Sequence, residues 1–479
     1  MSPLRTAPIS KLILTHTLAL NITAALLAAP WQAPATAQTQ QRAPNTSASA
    51  ALTPLPPKAQ PCPEGVAAKS RCLTGRDNAG ADYWLAVPPD WNGTLVVHAH
   101  GGPELGVPKA DRAAADLTRW SVWTRAGYAY AGSGFRQGGV AVQSAAEDTD
   151  RVRQIFIATL GVPKRVVLHG QSWGASVAAR TAELFNTLDN GGKNTALPYD
   201  AVLLTSGVLG GGSQSYNFRL DLRVVYQVVC GNHPQASEAA YPLWQGLPLA
   251  SPLSRTDLAS RVEACTGLSL KPADRTPAQQ RHLQTILAAV KIEERALLGH
   301  LNWATWHFQD IVFNRLAGRN PFDNALVRYS AAASGLTGDA LNAQVARYTA
   351  DPAALADFAQ DADPQGRISV PVLTLHGIDD PVAFVELEST FKTTMARGGS
   401  AASLVQAFTQ DTEHSYLSDA QYVTALQRLI EWASGGAKPT PASLAADCPR
   451  LASAFEAASG CRFAPQFAPQ ALSSRVPAR

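Results

Sequence analysis

Ser172 stands between two glycines in Gly170-Gln171-Ser172-Trp173-Gly174. The strand-like run Val166-Val-Leu-His169 precedes it, and the small residues Ala175-Ser-Val-Ala178-Ala179 follow, suited to a helix that packs close to a sheet. A serine held in a sharp strand-to-helix turn needs minimal side chains two positions either side, which the glycines supply. A serine hydroxyl is a weak nucleophile. Acyl chemistry at Ser172 therefore needs a general base within hydrogen-bond reach and an acid to orient that base. Other chemistries are less well supported. Gly132-Ser-Gly134 also follows a strand, but the next glycine is Gly138, so the dinucleotide pattern G-x-G-x-x-G is not met. Asp148/Asp150 and Asp361/Asp363 lack the spacing of a calcium loop and read as solvated turn and helix-start residues. No C-x-x-C occurs, so a zinc site is not expected, and acyl chemistry at a serine needs no metal or organic cofactor.

The elements around Ser172 alternate between strand and helix. Tyr83–Val87 and Thr94–His98 are short β-rich runs flanking the turn Pro88–Gly93, and Tyr128–Ala131 is another. Glu147–Leu160 has helical spacing and stops at Gly161-Val-Pro163. Arg165–His169 reads as a strand, Trp173–Leu188 as a helix and Ala201–Thr205 as a strand. This rhythm implies parallel βαβ units, an α/β class with a doubly wound, mostly parallel sheet. Between about 213 and 365 the chain turns mostly helix-like, with one long stretch from Pro277 to Leu316. Strands return at Val370–Leu375 and Ser403–Phe408, and a last helix runs near Asp419–Ala433.

With strand, glycine-flanked serine and helix in place, the sequence resembles the α/β-hydrolase superfamily, from about 82 to 435. The resemblance implies a sheet core in two parts, 61–212 and 366–436, with residues 213–365 as an inserted helical cap. It also implies a triad in the order serine, acid, histidine. His376-Gly377-Ile378-Asp379-Asp380 matches the family's H-G-x-x-D, which puts the acid at Asp380 and leaves Asp379 to turn formation. The one histidine after that strand is His414, so it is the implied base. Oxyanion donors are implied at the Trp173 N–H and at Gly101 or Gly102 of His100-Gly101-Gly102-Pro103, since Pro103 has no N–H. His100, His169 and His376 are then supports, not reacting groups.

The substrate reading is an exported carboxylic-ester hydrolase acting on a small-molecule or oligomeric ester. Two alternatives compete. Proline-iminopeptidase-like aminopeptidases share H-G-G-P and a Trp after the nucleophile, but their loop usually continues with glycine where this one has Glu104. In that reading Glu293-Glu294, placed in the long cap helix, would hold the substrate's ammonium. The other alternative is a non-catalytic hydrolase-fold binding protein, which the intact serine, acid and histidine set argues against. Trp303 and Trp306 lie three apart in the cap, neighbours on one face of an α-helix. They are candidates for a pocket that favours bulky or aromatic groups, and Gly210-Gly-Gly212 is a candidate hinge.

The compartment is legible at the N-terminus. Arg5 and Lys11 precede the largely apolar stretch Leu12–Ala29, and Ala33-Pro-Ala35-Thr36-Ala37 has small-x-small character. This is the three-part pattern of a signal peptide, expected over 1–37, and it implies a secreted or periplasmic protein. Residues 38–60, rich in Ala, Pro, Gln, Ser and Thr, read as a disordered linker. The six cysteines form three sequence-local pairs, Cys62/Cys72, Cys230/Cys265 and Cys448/Cys461, the last in a Pro/Ala-rich tail over 437–479. Local pairing is expected because short loops close most easily, and disulfides suit an oxidising compartment. Composition agrees: 46% apolar and 16% charged residues describe a globular chain. A formal charge of +3, two of whose bases fall in the leader, leaves no electrostatic footing for nucleic acid. After the leader no apolar run is long enough to span a membrane.

Overall fold

The computed structural model describes residues 54–186, 197–330, 336–452, 454–455, 460–477 and 479. The expected signal peptide, and the linker up to residue 53, lie outside them. Nine strands form one sheet in the order β1-β2-β3-β5-β4-β6-β7-β8-β9. They are β1 Leu55–Gln60, β2 Arg71–Arg76, β3 Asp82–Val87, β4 Thr94–Ala99, β5 Ala129–Ser133, β6 Arg165–Gln171, β7 Ala201–Thr205, β8 Val372–Gly377 and β9 Leu404–Thr409. The first three are antiparallel to their neighbours, and the pairs from β5 through β9 are parallel.

Strands β4, β7 and β8 are buried at every position, as a parallel sheet covered on both faces requires. The period of two still sorts their side chains. Leu95 and Val97 of β4 face Phe156 and Val177 of the helices Val142–Leu160 and Trp173–Phe185, whereas Val96 faces Trp120, Trp123 and Val423 on the other side. Because β5 and β6 flank β4, the order of strand addition reverses there. Such a switch point opens a crevice at the carboxyl ends of the strands.

A helical insertion separates β7 from β8. Its main helices are Gly211–Cys230, Arg255–Thr266, Pro277–Val290 and Pro352–Ala362. Capping boxes at Ser254/Asp257 and Thr276/Gln279 start two of them. The expected long helix over 277–316 is instead broken. Lys291 closes Pro277–Val290 in the left-handed region at φ 53°, and the chain restarts at Glu294. At the insertion's entry, a side chain on Gly211 would strike the Asp363 carboxylate at 2.4 Å, and Asp363 accepts the Ser213 N–H at 2.9 Å. The candidate hinge glycines thus allow a close approach between the two ends of the insertion.

Three further expectations change. Leu55–Gln60, assigned to the linker, is edge strand β1, with Ala59 opposite Leu73 and Gln60 opposite Cys72. Its two prolines are tolerated because an edge strand leaves one row of N–H positions unpaired. Asp148 and Asp150 are buried rather than solvated, with Arg136 and Arg153 as ion-pair partners at 2.8 Å each. Asp361 accepts the Val142 and Gln143 N–H groups at the start of a helix, a cap supplied from 218 residues away along the chain. The pairs Cys62–Cys72, Cys230–Cys265 and Cys448–Cys461 are disulfide-bonded. The tail carries the helix Pro441–Ala452 and returns along β9, where Ala464 N–H donates to the Phe408 carbonyl.

Candidate active site

Strand β6 delivers Ser172 into a turn that no ordinary residue adopts at ease: φ 58°, ψ −125°. The flanking glycines are required by contact. A Cβ on Gly170 would lie 2.2 Å from the Gly174 carbonyl oxygen, and one on Gly174 would lie 2.2 Å from the Ala99 carbonyl oxygen. The turn therefore presses against the end of β4, and the helix Trp173–Phe185 starts directly behind the serine. Trp173 is its first residue, so its N–H has no acceptor within the helix.

His414 reaches this serine from the loop after β9. Its Nε2 is 2.8 Å from Ser172 Oγ, and its Nδ1 is 2.8 Å and 3.0 Å from the Asp380 carboxylate oxygens. Asp380, from the loop after β8, is 4% exposed and also accepts the Val382 and Ala383 N–H groups at 2.9 and 3.0 Å. Burial works against its charge, but the charge of His414 and hydrogen bonds from His376 and His414 outweigh it and hold its pKa below the usual carboxylate range. Its neighbour Asp379 is exposed and has no part in this chain of contacts. Serine, histidine and buried carboxylate follow the carboxyl ends of β6, β9 and β8 on a mostly parallel sheet of this order, the arrangement expected of the fold named from the sequence. The fold is that of the α/β-hydrolases.

No protein-family model and no curated protein matches the sequence. Among solved structures, feruloyl esterase B from Aspergillus oryzae is 12% identical, with 81% of this chain and 88% of that chain covered and a TM-score of 0.42. Candida antarctica lipase A is 13% identical, with 88% of both chains covered, at 0.42. The rice cell wall degrading esterase LipA from Xanthomonas oryzae is 13% identical, with 81% and 96% covered, at 0.37. Likeness of this degree says nothing of substrate.

Around Ser172 and His414 lies a cleft of about 330 Å³ whose wall also includes Gly101, Gly102 and Trp173. The Gly101 carbonyl accepts from His100 Nδ1 at 2.6 Å and from Arg112 Nη2 at 3.2 Å. His100 is buried, stacks on Phe135 with ring centroids 4.0 Å apart, and does not line the cleft. Burial lowers its pKa, and it also lowers that of His169, to about 3. His169 Nδ1 lies 2.9 Å from His98 Nδ1 beneath the site.

The insertion contributes Tyr216, Arg219 and Trp303 to the cleft wall. Trp306 is not there. The segment Trp303–His307 is a π-helical turn, with wider spacing than an α-helix, so residues three apart diverge. Trp306 instead stacks under Arg255 at 4.7 Å. Glu293 and Glu294 do not line the cleft either; they pair with Arg295 and Arg275. Sequence reasoning missed Gln171, whose amide donates to Ser415 Oγ beside His414, and the cleft arginines Arg112, Arg119 and Arg219. Gln171 sat in plain view inside the serine motif, but nothing in a sequence tells a tethering amide there from a filler.

Proposed function

We propose that this protein is an exported serine hydrolase that cleaves carboxylic esters through an acyl-enzyme. The continuous hydrogen-bonded chain Ser172–His414–Asp380 carries the reading. In the first step Ser172 Oγ attacks the ester carbonyl carbon while its proton passes to His414 Nε2. The tetrahedral oxyanion takes hydrogen bonds from the Trp173 N–H and from the H-G-G loop. The His100 and Arg112 bonds to the Gly101 carbonyl favour Gly102 as the loop's donor, because a trans peptide points its N–H away from its carbonyl. His414 then protonates the departing alcohol, and a water molecule, deprotonated in turn by His414, releases the acid. Asp380 stays ionised and keeps the imidazole proton on Nδ1. No step calls on a metal or organic cofactor.

The insertion serves as a cap over the triad, and Trp303, Tyr216 and Trp173 offer ring surface to a bulky or aromatic substrate group. The expected leader and the three disulfides support export. An aminopeptidase needs an acidic group for the substrate ammonium, but among the described residues the one carboxylate on the cleft wall, Glu104, is already paired with Arg112 at 2.6 Å.

The test is hydrolysis of p-nitrophenyl esters beside amino-acid p-nitroanilides, by wild type and Ser172→Ala. Ester turnover should fall by about 10³-fold or more in the variant. Retained turnover, or cleavage of Pro- or Ala-p-nitroanilide in preference to esters, would overturn the reading.

A further inference from the structure

Three arginines line the cleft beside Ser172, and they are not equivalent. Arg112 is committed, to Glu104 at 2.6 Å and Asp116 at 2.9 Å. Arg119 is exposed, donates to the Ser415 carbonyl at 2.7 Å, and lies over the rings of Trp120 and Tyr416. Arg219, on the insertion helix Gly211–Cys230, is 5% exposed.

The protein gives Arg219 little to bind. Its Nη1 donates to the Ser215 carbonyl one turn back, and its Nε is buried without a partner. Among the described residues no carboxylate pairs with it. The rings of Tyr216, Phe218 and Trp303 surround it instead, with centroids 4.9, 4.7 and 4.8 Å from the guanidinium carbon. Burial draws its pKa down to about 10, so it still carries its charge at neutral pH. Aromatic faces return part of the cost of burying a cation, but a desolvated guanidinium facing a cleft is an unfilled anion partner. Arginine's planar fork suits a carboxylate in particular.

We propose that the substrate carries a free carboxylate that Arg219 binds, with Arg119 adding attraction at the rim. The ester is then either a monoester of a dicarboxylic acid or an ester of a carboxylate-bearing alcohol. This rests on the serine-hydrolase reading and adds the substrate class to it. Tyr216 and Trp303 hold the guanidinium in place, so the rings that read as an apolar pocket also form the walls of an anion site.

The experiment compares kcat/KM for matched pairs with the full chain. On the acyl side the pair is mono-p-nitrophenyl glutarate and p-nitrophenyl pentanoate. On the alcohol side it is 4-carboxyphenyl butyrate and its methyl ester. In at least one pair the anionic member should be favoured about tenfold or more, chiefly through KM, as a charge-assisted hydrogen bond allows. The preference should shrink in about 0.5 M salt. Arg219→Met should abolish it and Arg219→Lys keep part of it. In parallel, a fluorophosphonate probe labels Ser172, and free glutarate should slow that labelling in wild type. Ser172 that is labelled while neutral esters are preferred in both pairs overturns the anion site and leaves the hydrolase reading standing. So does labelling without turnover that glutarate fails to slow. Neither turnover nor labelling of Ser172 overturns both. The wild-type comparisons decide even if the Arg219 variants fail to fold.

Discussion

His376 Nδ1 lies 3.0 Å from Glu388 Oε1, and both side chains are sealed from solvent. The other ring nitrogen, Nε2, lies 2.7 Å from the Ala383 carbonyl oxygen and 3.5 Å from Asp380 Oδ2. The carbonyl accepts the Nε2 proton, and against burial, hydrogen bonds to Asp380 and Glu388 raise the ring's pKa to about 10, which favours the imidazolium at neutral pH. The ring contacts the same Asp380 oxygen, Oδ2, that lies 2.8 Å from His414 Nδ1. Glu388 is itself anchored by Thr374 at 2.7 Å and Gln406 at 2.6 Å. The chain of contacts therefore runs from Glu388 through His376, Asp380 and His414 to Ser172.

This pair predicts a stability change at alkaline pH. Burial alone would lower the His376 pKa, but hydrogen bonds to Asp380 and Glu388 carry it up to about 10. An unfolded histidine titrates near about 6.5. The stabilisation is then fully present below about pH 6.5 and is lost as pH rises through about 10, by at most about 1.4 kcal/mol per pH unit. Urea unfolding of wild type between these limits should show the decline. Glu388→Gln should bring its end point to lower pH. Equal pH profiles for the two proteins would mean that His376 is neutral.

The acid assignment predicts an asymmetry between neighbours. Asp380→Asn removes the carboxylate that holds the Nδ1 proton of His414 and should lower kcat by about 10³–10⁴-fold. Asp379→Asn alters an exposed side chain outside the triad and should change kcat less than about threefold. Steady-state kinetics on one chromogenic ester would decide, and a reversed order would move the acid to Asp379.

The serine turn predicts intolerance at Gly174. Alanine there would place a methyl group 2.2 Å from the Ala99 carbonyl oxygen and 2.4 Å from that of His100, backbone atoms that cannot swing away. Gly174→Ala should cost about 1–3 kcal/mol or more of stability, and ester turnover should fall with it. Gly299→Ala is the control. It too lies in a helix without a positive φ, in Leu297–Asn302, but has open space around its Cβ. A Gly174 variant as stable and active as that control would mean that the turn is looser than these contacts.

What the sequence made legible follows the range of the interactions. Ser172 sits in a pattern complete within five residues, and strands β4, β6, β7 and β8 are apolar runs that a buried parallel sheet demands. Strand β1 was hidden because Leu-Pro-Pro-Lys-Ala-Gln carries no alternation; its pairing comes from β2 and from the nearby Cys62–Cys72 bond. Arg219 was hidden because an arginine on an amphipathic helix ordinarily points to water. Only the tertiary packing of Tyr216, Phe218 and Trp303 encloses it. Glu388 was hidden likewise, since its partner His376 belongs to a different element.

The disulfide inside the insertion predicts a stability cost with a location. Cys230–Cys265 closes a 35-residue separation and joins the ends of two insertion helices. Loop-closure entropy for that length is worth about 3–4 kcal/mol. Replacing both cysteines by serine should lower stability by up to that amount. Hydrogen exchange should rise first in Gly211–Cys230 and Arg255–Thr266, while the sheet core stays protected. Uniform loss of protection across the sheet would show that insertion and core unfold as one unit.

The two tryptophans of Trp303–His307 predict opposite behaviour. A regular α-helix would set Trp303 and Trp306 on one face, and both would then shape the pocket. The π-helical turn separates them. Trp303 lies half-buried on the cleft wall, against Arg219 at 4.8 Å and edge-on to His300 at 5.3 Å. Trp306 is also half-buried, but it packs against the hydrophobic core and under Arg255. Trp303→Ala should therefore shift the ratio of kcat/KM between an aromatic ester and a short acetate ester by about tenfold, the scale of a lost apolar contact in a specificity pocket. Trp306→Ala should leave that ratio within about twofold and instead lower stability by about 1–3 kcal/mol, as loss of a partly buried ring does. Equal shifts from the two variants would mean that the segment adopts an α-helical spacing with substrate bound. A shift from Trp306 alone would place the pocket on the other side of the turn.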